Sequence, residues 1–409
     1  MLGSNWTEIG QVRELEAISE LTSRAADPLD PLRAELIAGI AASAGLHPAS
    51  LDRLVAMWSA GWQRPDLERA YRRGLGAHPG AFRPIGTVAI VAPGNLCVAT
   101  WQAIVEALLA GNHVSVRPGS GDPLAAANFK AALQRIDPGL ANRLSIQQFE
   151  RGDVTAWLRW LVAADAVVVY GGDAAIAAIL QLASEAGYTG RLRLHGHYQS
   201  IGLLTSELLG DPDALRMAIA GWAVDALLAD GRGCMSLRAL WWVGVLDAAK
   251  RAALRVAFAE AFARAAQLFP AGQLAPAWQA TARLEAEAHA FVAAQRDDRW
   301  LEQGDGWTIL GSHGPIPAGA RALGPGARTL AVYEAQDARD LQKQLMPWRG
   351  KLSTASVSLD ADHDGVLGAL DRLGVHRTCQ PGAMQAPRAD RAPDGHMPFA
   401  GLVRLTDRV

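Results

Sequence analysis

The sequence predicts an α/β protein with two parallel-sheet domains and a helical N-terminal region. Short β-prone runs alternate with helical stretches from residue 87 to residue 194, glycine- and proline-rich breaks follow three of these runs, and a second strand–helix pattern begins near residue 201. Parallel strands need a crossover between them, usually a helix, so the alternation indicates parallel sheets with helices on both faces. A chain of 409 residues is also long enough for two domains.

The elements of the first predicted domain follow from the order of runs and breaks. Apolar side chains recur at helical spacing in residues 1–75, as at Leu32, Leu36 and Ile40, so helices are expected there. A loop over 74–84 leads into a continuous β-prone run at 87–92. The further segments predicted are helices 98–110, 123–135 and 174–186 and strands 113–117, 144–148, 166–170 and 191–194.

A second parallel-sheet unit is predicted downstream. Its predicted strands are 201–204, 240–245, 328–333 and 353–359, and its predicted helices are 212–228, 248–266 and 337–345. Residues 270–320 carry few strong signals, and no element is predicted there. We therefore expect a helical and NAD(P)-binding domain over 1–203, a catalytic domain over 204–380, and a C-terminal tail over 381–409 that is a candidate oligomerisation arm.

Composition excludes several classes of protein. The formal net charge is -2, so there is no basic excess that would bind nucleic acid. Three cysteines cannot form a disulfide framework, and their odd number favours a reducing compartment. The N-terminus lacks the features of a signal peptide, and no apolar run approaches the ~20 residues of a membrane helix. We expect a cytoplasmic protein without a membrane span.

The first candidate site is the segment Asp230-Gly-Arg-Gly-Cys234. Glycines on both sides of Arg232 leave backbone N–H groups sterically open, and the arginine would favour the thiolate form of Cys234. A thiolate in such a loop can form a covalent acyl intermediate. The alternative is that Cys234 only packs, as free cysteines usually do, and the residues alone leave the two readings balanced. Cys97 and Cys379 are expected to be structural.

Further candidates follow predicted strands, where ligands of parallel sheets bind. Asn95 can donate its side-chain amide to a developing oxyanion, although Pro-Gly-Asn is also ordinary turn chemistry. Arg117 suits a nucleotide phosphate or ribose, although a solvated arginine at a strand end is common. Gly171 and Gly172 let backbone donors approach a phosphate at a helix N-terminus, although they equally form a tight turn capped by Asp173.

The fifth candidate is Leu194-His195-Gly-His197. No cluster of carboxylates or cysteines lies near these histidines in the sequence, so no metal site is predicted. In a strand, His195 and His197 would point to the same face and line a polar pocket.

The order of these segments resembles the aldehyde dehydrogenase superfamily, over roughly residues 80 to 409. Asn95 precedes Arg117 by 22 residues, close to the family's spacing between its oxyanion asparagine and its ribose-binding lysine. Arg117-Pro, His195-Gly-His and Gly233-Cys-x-Ser are most similar to the acyl-CoA reductase (LuxC-type) branch, as are the C-terminal Gly374-Val-His-Arg and Asp394-Gly segments.

This resemblance implies roles for the candidate residues. Cys234 would be the acyl-accepting nucleophile, and Asn95 with the backbone N–H of Cys234 would form the oxyanion hole. His195 or His197 would supply a proton. The residues implied to contact the cofactor are Pro93, Arg117, Gly171 and Gly172.

Three positions depart from the pattern of the superfamily. His195 falls where hydrolytic members have a glutamate that activates water, which implies slow hydrolysis of an enzyme thioester. Arg321 stands where a glutamate helps to hold the nicotinamide ribose, and Gly119 stands where the family often has serine.

The resemblance therefore implies NAD(P)H-dependent reduction of an acyl thioester to the aldehyde. NADPH is the expected cofactor, weakly favoured by Arg117, with NADH as the alternative. The expected partners are acyl-CoA or an acyl-carrier protein and further copies of the chain in a homodimer or higher oligomer. Two other functions stay open: an aldehyde dehydrogenase that forms free acid, and a non-catalytic binding subunit with the same fold.

Overall fold

The computed structural model describes residues 9–76, 81–317, 319–320, 322–357 and 365–406. Two compact units divide the chain: one comprises residues 1–44, 55–197 and 387–409, and the other comprises residues 45–54 and 198–386. Both units are discontinuous in sequence, whereas the predicted domains are consecutive segments, and that predicted division stays a prediction. None of the helices described is long and apolar enough to cross a membrane.

The first unit contains a five-stranded parallel sheet and its covering helices. Its sheet has the order β4-β3-β2-β5-β6, and every neighbouring pair is parallel. The elements from residue 9 to residue 195 are α1 (Ile9–Ala26), α2 (Pro31–Ala44), α3 (Pro48–Ala60), α4 (Arg64–Leu75), β1 (Phe82–Pro84), β2 (Thr87–Val91), α5 (Cys97–Leu109), β3 (His113–Arg117), α6 (Ala125–Ile136), α7 (Pro138–Ala141), β4 (Leu144–Ile146), α8 (Val154–Val162), β5 (Ala166–Tyr170), α9 (Asp173–Glu185) and β6 (Arg191–His195).

The second unit contains a seven-stranded sheet. Its order is β13-β12-β7-β8-β11-β10-β9, and only the edge pair β9–β10 is antiparallel. Its elements are β7 (Gln199–Thr205), α10 (Pro212–Leu227), β8 (Leu237–Val243), α11 (Ala248–Leu268), α12 (Pro276–Ala293), β9 (Arg299–Gly304), β10 (Trp307–Ser312), β11 (Thr329–Ala335), α13 (Ala338–Leu345), β12 (Leu352–Val357), α14 (Val366–Leu373) and β13 (Arg377–Cys379). The predicted α/β class with parallel sheets is confirmed.

The sequence did not predict α12, β9 and β10. Only Ala282 of the 18 residues of α12 is buried, so the helix carries no wide apolar stripe. Strand β9 lies at the sheet edge and ends in two exposed residues, which weakens its apolar pattern. A helix that buries little and an edge strand leave few hydrophobic signals in a sequence.

The C-terminal segment 387–406 belongs to the first unit. Its strand β14 (Val403–Leu405) pairs antiparallel with β1. The indole N–H of Trp62 donates to the carbonyl of Pro387 at 3.0 Å, and the amide of Asn112 donates to the carbonyl of Leu402 at 2.9 Å. The segment is therefore fastened within its own chain, and its role as an oligomerisation arm stays a prediction.

Candidate active site

Cys234 lies on a short turn between α10 and β8 in the second unit. It is exposed, whereas Cys97 and Cys379 are buried as expected. Burial raises the pKa of the Cys97 thiol, and it raises the pKa of the Cys379 thiol to about 12. Since the thiolate is the reactive form, both buried thiols are poor nucleophiles at neutral pH. Cys234 is thus the one cysteine of the three whose side chain is exposed.

The turn begins at a buried ion pair. The guanidinium of Arg328 donates to a carboxylate oxygen of Asp230 at 2.8 Å, and both side chains are almost fully buried. Asp230 has a φ of 52° and Arg328 has a φ of 63°, left-handed values that are unusual for residues other than glycine. Strained backbone of this kind persists only where the surroundings hold it, so the pair fixes the entry to the turn.

Arg238, which was not predicted to belong to the site, is a cation whose pKa responds to the charge of Cys234. Burial lowers the pKa of Arg238 to about 10, and the negative charge of Cys234 opposes that shift. Arg232 donates to the carbonyls of Gly45 and Gln273, at 2.7 Å each, and its expected effect on the Cys234 thiol stays a prediction. Arg238 is the only charged residue of β8, a signal that was present in the sequence.

The loops that follow β2 and β3 touch backbone to backbone at the carboxyl edge of the first sheet. A Cβ added at Gly119 would lie 2.5 Å from both the Cα and the N of Gly94, and one at Gly121 would lie 2.3 Å from the Gly94 carbonyl oxygen. Pro93 and Asn95, both half-buried, flank Gly94 in this contact. Because only glycine permits this approach, the loop carrying Pro93 and Asn95 is braced by the loop after Arg117.

Arg117 ends β3 with its guanidinium over two aromatic rings. The guanidinium carbon lies 4.8 Å from the ring centroid of Trp157 and 5.5 Å from that of Phe149. Its Nη1 donates to the Pro118 carbonyl at 3.2 Å, and its Nε has no hydrogen-bond partner among the described residues. Burial lowers the pKa of Arg117, and the nearby charge of Arg151 adds to this effect. Stacking on two rings fixes the direction of the guanidinium.

Gly171 and Gly172 join β5 to α9. The helix begins at Asp173, and Gly172 occupies the N-cap position, so the alternative in which Asp173 caps the helix is wrong. Since the N-cap residue is a glycine, it has no side chain to accept the first N–H groups of this helix, and a Cβ added at Gly172 would meet nothing within 4 Å. The open N-terminus of a helix of 13 residues fits an anionic phosphate.

His195 ends β6 and is buried, whereas His197 is exposed. The expectation that both histidines share one face is wrong, because the strand ends at His195. The Nδ1 atom of His195 pairs with the carboxylate of Asp394, and its ring stacks on Tyr170 with centroids 4.3 Å apart. Burial lowers the pKa of His195, and Asp394 only partly opposes this effect. His195 is therefore neutral near pH 7, with Nε2 lacking a partner among the described residues.

Neither Asp394 nor the neighbouring Glu106 was predicted to belong to this cluster. Glu106 accepts from Arg193 at 2.9 Å and from the backbone N–H of Phe399, also at 2.9 Å. Asp394 lies 199 residues beyond His195, so no local pattern joins the two residues. Arg321 lies outside the described residues. In the described parts of the chain, no group of three or more His, Cys, Asp or Glu side chains is arranged to hold a metal ion.

Comparison with solved structures shows the aldehyde dehydrogenase fold. Aldehyde dehydrogenase 21 from Physcomitrella patens, solved with the product succinate, has a TM-score of 0.67 and 14% identity, covering 95% of this chain and 85% of its own. Succinic semialdehyde dehydrogenase from Streptococcus pyogenes, solved with NADP+, has a TM-score of 0.66 and 12% identity, covering 100% of this chain and 97% of its own. A search of curated protein sequences found no match.

The fold and the sequence family together define an oxidoreductase of the aldehyde dehydrogenase type. Residues 77–405 match the family described as acyl-CoA reductase (LuxC). The chain belongs to this family, as the resemblance of its motifs predicted, and it is an enzyme.

Proposed function

We propose that the protein reduces an acyl thioester to an aldehyde with NAD(P)H, through a covalent thioester on Cys234. The observation that carries this proposal is the exposure of Cys234 on a glycine-flanked turn, while Cys97 and Cys379 are buried. Membership of the acyl-CoA reductase family supports an acyl substrate. The donor is acyl-CoA or an acyl-carrier protein, and we propose a cytoplasmic homodimer or higher oligomer.

The chemistry divides into acylation and reduction. The Cys234 thiolate attacks the thioester carbonyl, and Asn95 with the Cys234 N–H stabilises the oxyanion, a contribution of about 3 kcal/mol in comparable sites. The intermediate expels the donor's thiolate, which takes up a proton from water, and leaves the acyl group on Cys234. When bound, a reduced nicotinamide would supply the hydride that this enzyme thioester accepts. The resulting thiohemiacetal then collapses to the aldehyde and regenerates the Cys234 thiolate.

The residues at the carboxyl edge of the first sheet fit a nicotinamide dinucleotide. Gly171 and Gly172 leave the N-terminus of α9 open for a pyrophosphate, and Pro93 lies on the braced loop beside Gly94. Arg117 would contact the adenosine ribose or a 2′-phosphate, with its guanidinium held by the two aromatic rings. NADPH is the proposed cofactor because a guanidinium suits the 2′-phosphate, and NADH is the alternative.

We assign proton transfer to His195. Asp394 at Nδ1 favours the tautomer whose Nε2 carries a lone pair, and the lowered pKa keeps the ring neutral. A neutral histidine can also activate water, which favours an acid-forming aldehyde dehydrogenase as the second candidate. Feeding aldehyde and NAD(P)+ with and without CoA separates the two, because acid formed without a thiol supports the second candidate.

The decisive experiment is intact mass spectrometry after incubation with acyl-CoA thioesters of different chain lengths. We expect one acyl group on the protein, at Cys234. Cys234→Ala should abolish acylation and lower reductase activity by at least about a thousandfold, as expected for loss of a nucleophile. Cys379→Ala is the control and should keep both acylation and reductase activity, because the Cys379 thiol is buried and its pKa is raised. A loss below tenfold for Cys234→Ala contradicts the proposal.

A further inference from the structure

The turn that carries Cys234 is closed by a buried serine. The N–H of Ser236 donates to the Gly233 carbonyl at 3.1 Å, and the N–H of Gly233 donates to the Ser236 hydroxyl at 3.2 Å. Ser236 is fully buried, although Cys234 is exposed two residues earlier. The serine hydroxyl thus ties the start of the turn to its end from the inside.

This closure sets the direction of the Cys234 N–H. The Gly233 carbonyl points into the turn towards Ser236. A trans peptide places its N–H opposite its carbonyl, so the N–H of Cys234 points out of the turn. The Cys234 N–H is the backbone donor that the proposed function assigns to the oxyanion. Its direction therefore depends on the bonds that keep the turn closed.

A second bond fixes the other side of Cys234. The Ser200 hydroxyl donates to the Cys234 carbonyl at 2.7 Å, and the N–H of Thr354 donates to the same hydroxyl at 3.1 Å. Since Thr354 donates to the Ser200 oxygen, the single hydroxyl proton of Ser200 is directed to Cys234. The peptide after the nucleophile is therefore held by strands β7 and β12.

The Ser236 hydroxyl is held in turn by Gln385. The Gln385 amide, on a buried side chain, donates to the Ser236 oxygen at 3.0 Å. The segment 380–386, which we call the strap, packs on α10, where a Cβ added at Gly221 would lie 2.5 Å from the Pro381 carbonyl carbon. The strap therefore lies against α10, the helix that precedes the turn carrying Cys234, which we call the nucleophile turn, and Gln385 reaches that turn from the strap.

Two charged side chains anchor the strap. Asp225, on α10, accepts from the N–H groups of Gly382 at 2.7 Å and Met384 at 3.0 Å. Arg377, on β13, donates to the carbonyls of Ala383 at 2.7 Å and Met384 at 2.8 Å. Burial raises the pKa of Asp225 to about 7, so its carboxylate is mostly ionised at pH 8. Asp225 and Arg377 together thus hold backbone N–H or carbonyl groups of three successive strap residues, 382–384, in hydrogen bonds.

We propose that Ser236 and Gln385 act together as positioning residues, which hold the nucleophile turn so that the Cys234 N–H is directed at the oxyanion during acylation. The proposal rests on the proposed function for the role of that N–H. Neither side chain reacts. They fix a backbone donor in advance, and such preorganisation is what makes oxyanion stabilisation effective.

The test compares two reactions of Cys234 at pH 8, in Ser236→Ala, Gln385→Met and the double variant. Acylation by p-nitrophenyl acetate passes through an oxyanion, whereas alkylation by iodoacetamide does not. We expect each single variant to slow acylation by about tenfold or more, because a misdirected donor loses much of the factor of 10²–10³ that such donors supply. The rate of alkylation should stay within threefold of that of the parent protein, since the thiol of Cys234 remains exposed.

The double variant and a matched control separate positioning from stability. If the two residues act as one unit, the double variant should acylate no more slowly than the slower single variant. The control is Gln344→Met, which removes a buried amide bonded to Trp241 and Ile316. It should lower the melting temperature without changing either rate. Gln385→Met conserves volume, so it keeps the test open if Ser236→Ala folds poorly.

Three results would overturn this proposal: acylation within threefold of the parent in either single variant, a parallel fall of acylation and alkylation, or additive losses in the double variant. A parent protein that p-nitrophenyl acetate does not acylate would also overturn it. Acylation by p-nitrophenyl acetate but by no acyl-CoA or acyl-carrier protein would instead count against the proposed function alone, so the two failures are distinguishable.

Discussion

At the residue scale, the surroundings of Cys234 decide its chemistry. The nearby arginine in sequence, Arg232, donates to two backbone carbonyls, while Arg238 on β8 responds to the charge of the cysteine. Electrostatic coupling between two groups is mutual, so a cation whose pKa the thiolate raises also stabilises that thiolate. Arg238 is half-buried and packs its guanidinium 5.5 Å from the ring centroid of Trp278, which keeps the charge in place.

Arg238→Met should therefore slow alkylation of Cys234. Without the guanidinium the thiolate loses its neighbouring cation, so we expect the iodoacetamide rate at pH 7 to fall by about threefold or more and the pH midpoint of alkylation to rise. Arg238→Lys keeps the charge, so its alkylation rate should lie between those of the parent and Arg238→Met. Equal rates in all three proteins would show that Arg238 does not act on the thiol.

At the scale of elements, the loops that follow the strands of the first sheet are the parts that tolerate a larger side chain least. The sequence places breaks after three predicted strands, and the parallel order of β3, β2 and β5 sets these breaks along one edge of the sheet. It did not predict that the loops after β2 and β3 meet at Gly94 and Gly119. Two loops from different strands meet only after the sheet has formed, so neither loop shows the contact in its own sequence.

Gly119→Ser should loosen this edge, although serine is frequent at this position in the wider superfamily. Its Cβ would lie 2.5 Å from the backbone of Gly94, and such overpacking costs about 1–3 kcal/mol. We expect a lower melting temperature and weaker NADPH binding in a fluorescence titration. Gly152→Ser is the control, because a Cβ there meets nothing within 4 Å. An unchanged affinity for NADPH in Gly119→Ser would contradict the braced-loop interpretation.

At the scale of the whole molecule, the C-terminal segment packs against α4 of the first unit. Phe399 is fully buried, and its ring stacks on that of Tyr71 with centroids 5.1 Å apart. The same C-terminal segment carries Asp394, the partner of His195. Residues predicted to form a separate tail thus complete the core and the polar cluster of the unit that holds the candidate cofactor site.

Phe399→Ala should destabilise the protein strongly. Removing a fully buried phenylalanine ring costs about 3–5 kcal/mol, so we expect a clear drop in melting temperature and in the free energy of unfolding. Met397→Ala is the control. Because Met397 is 48% exposed, this substitution should change the free energy of unfolding by no more than about 0.5 kcal/mol. Similar losses for the two variants would mean that residues 387–406 contribute little to the first unit.

The sequence by itself determined the α/β class, the five strands of the first sheet, the family and the cysteine that the fold exposes. These features depend on local periodicity, on breaks after strands, and on motifs of a few residues such as Gly233-Cys-x-Ser. Strand β8 shows the limit of such local signals. The strand begins at Leu237, but the charged Arg238 interrupts its apolar pattern, so the predicted strand began at residue 240.

Only the tertiary structure decided which residues surround the candidate site. Asp394 meets His195 across 199 positions, and Gln385 meets Ser236 across 149. Contacts between such distant positions leave no periodic trace, because they depend on how sheets and helices pack and not on the properties of one segment. The roles proposed for Cys234, Asn95 and His195 came from the sequence, whereas the hydrogen bonds that direct Cys234 and His195 came from the fold.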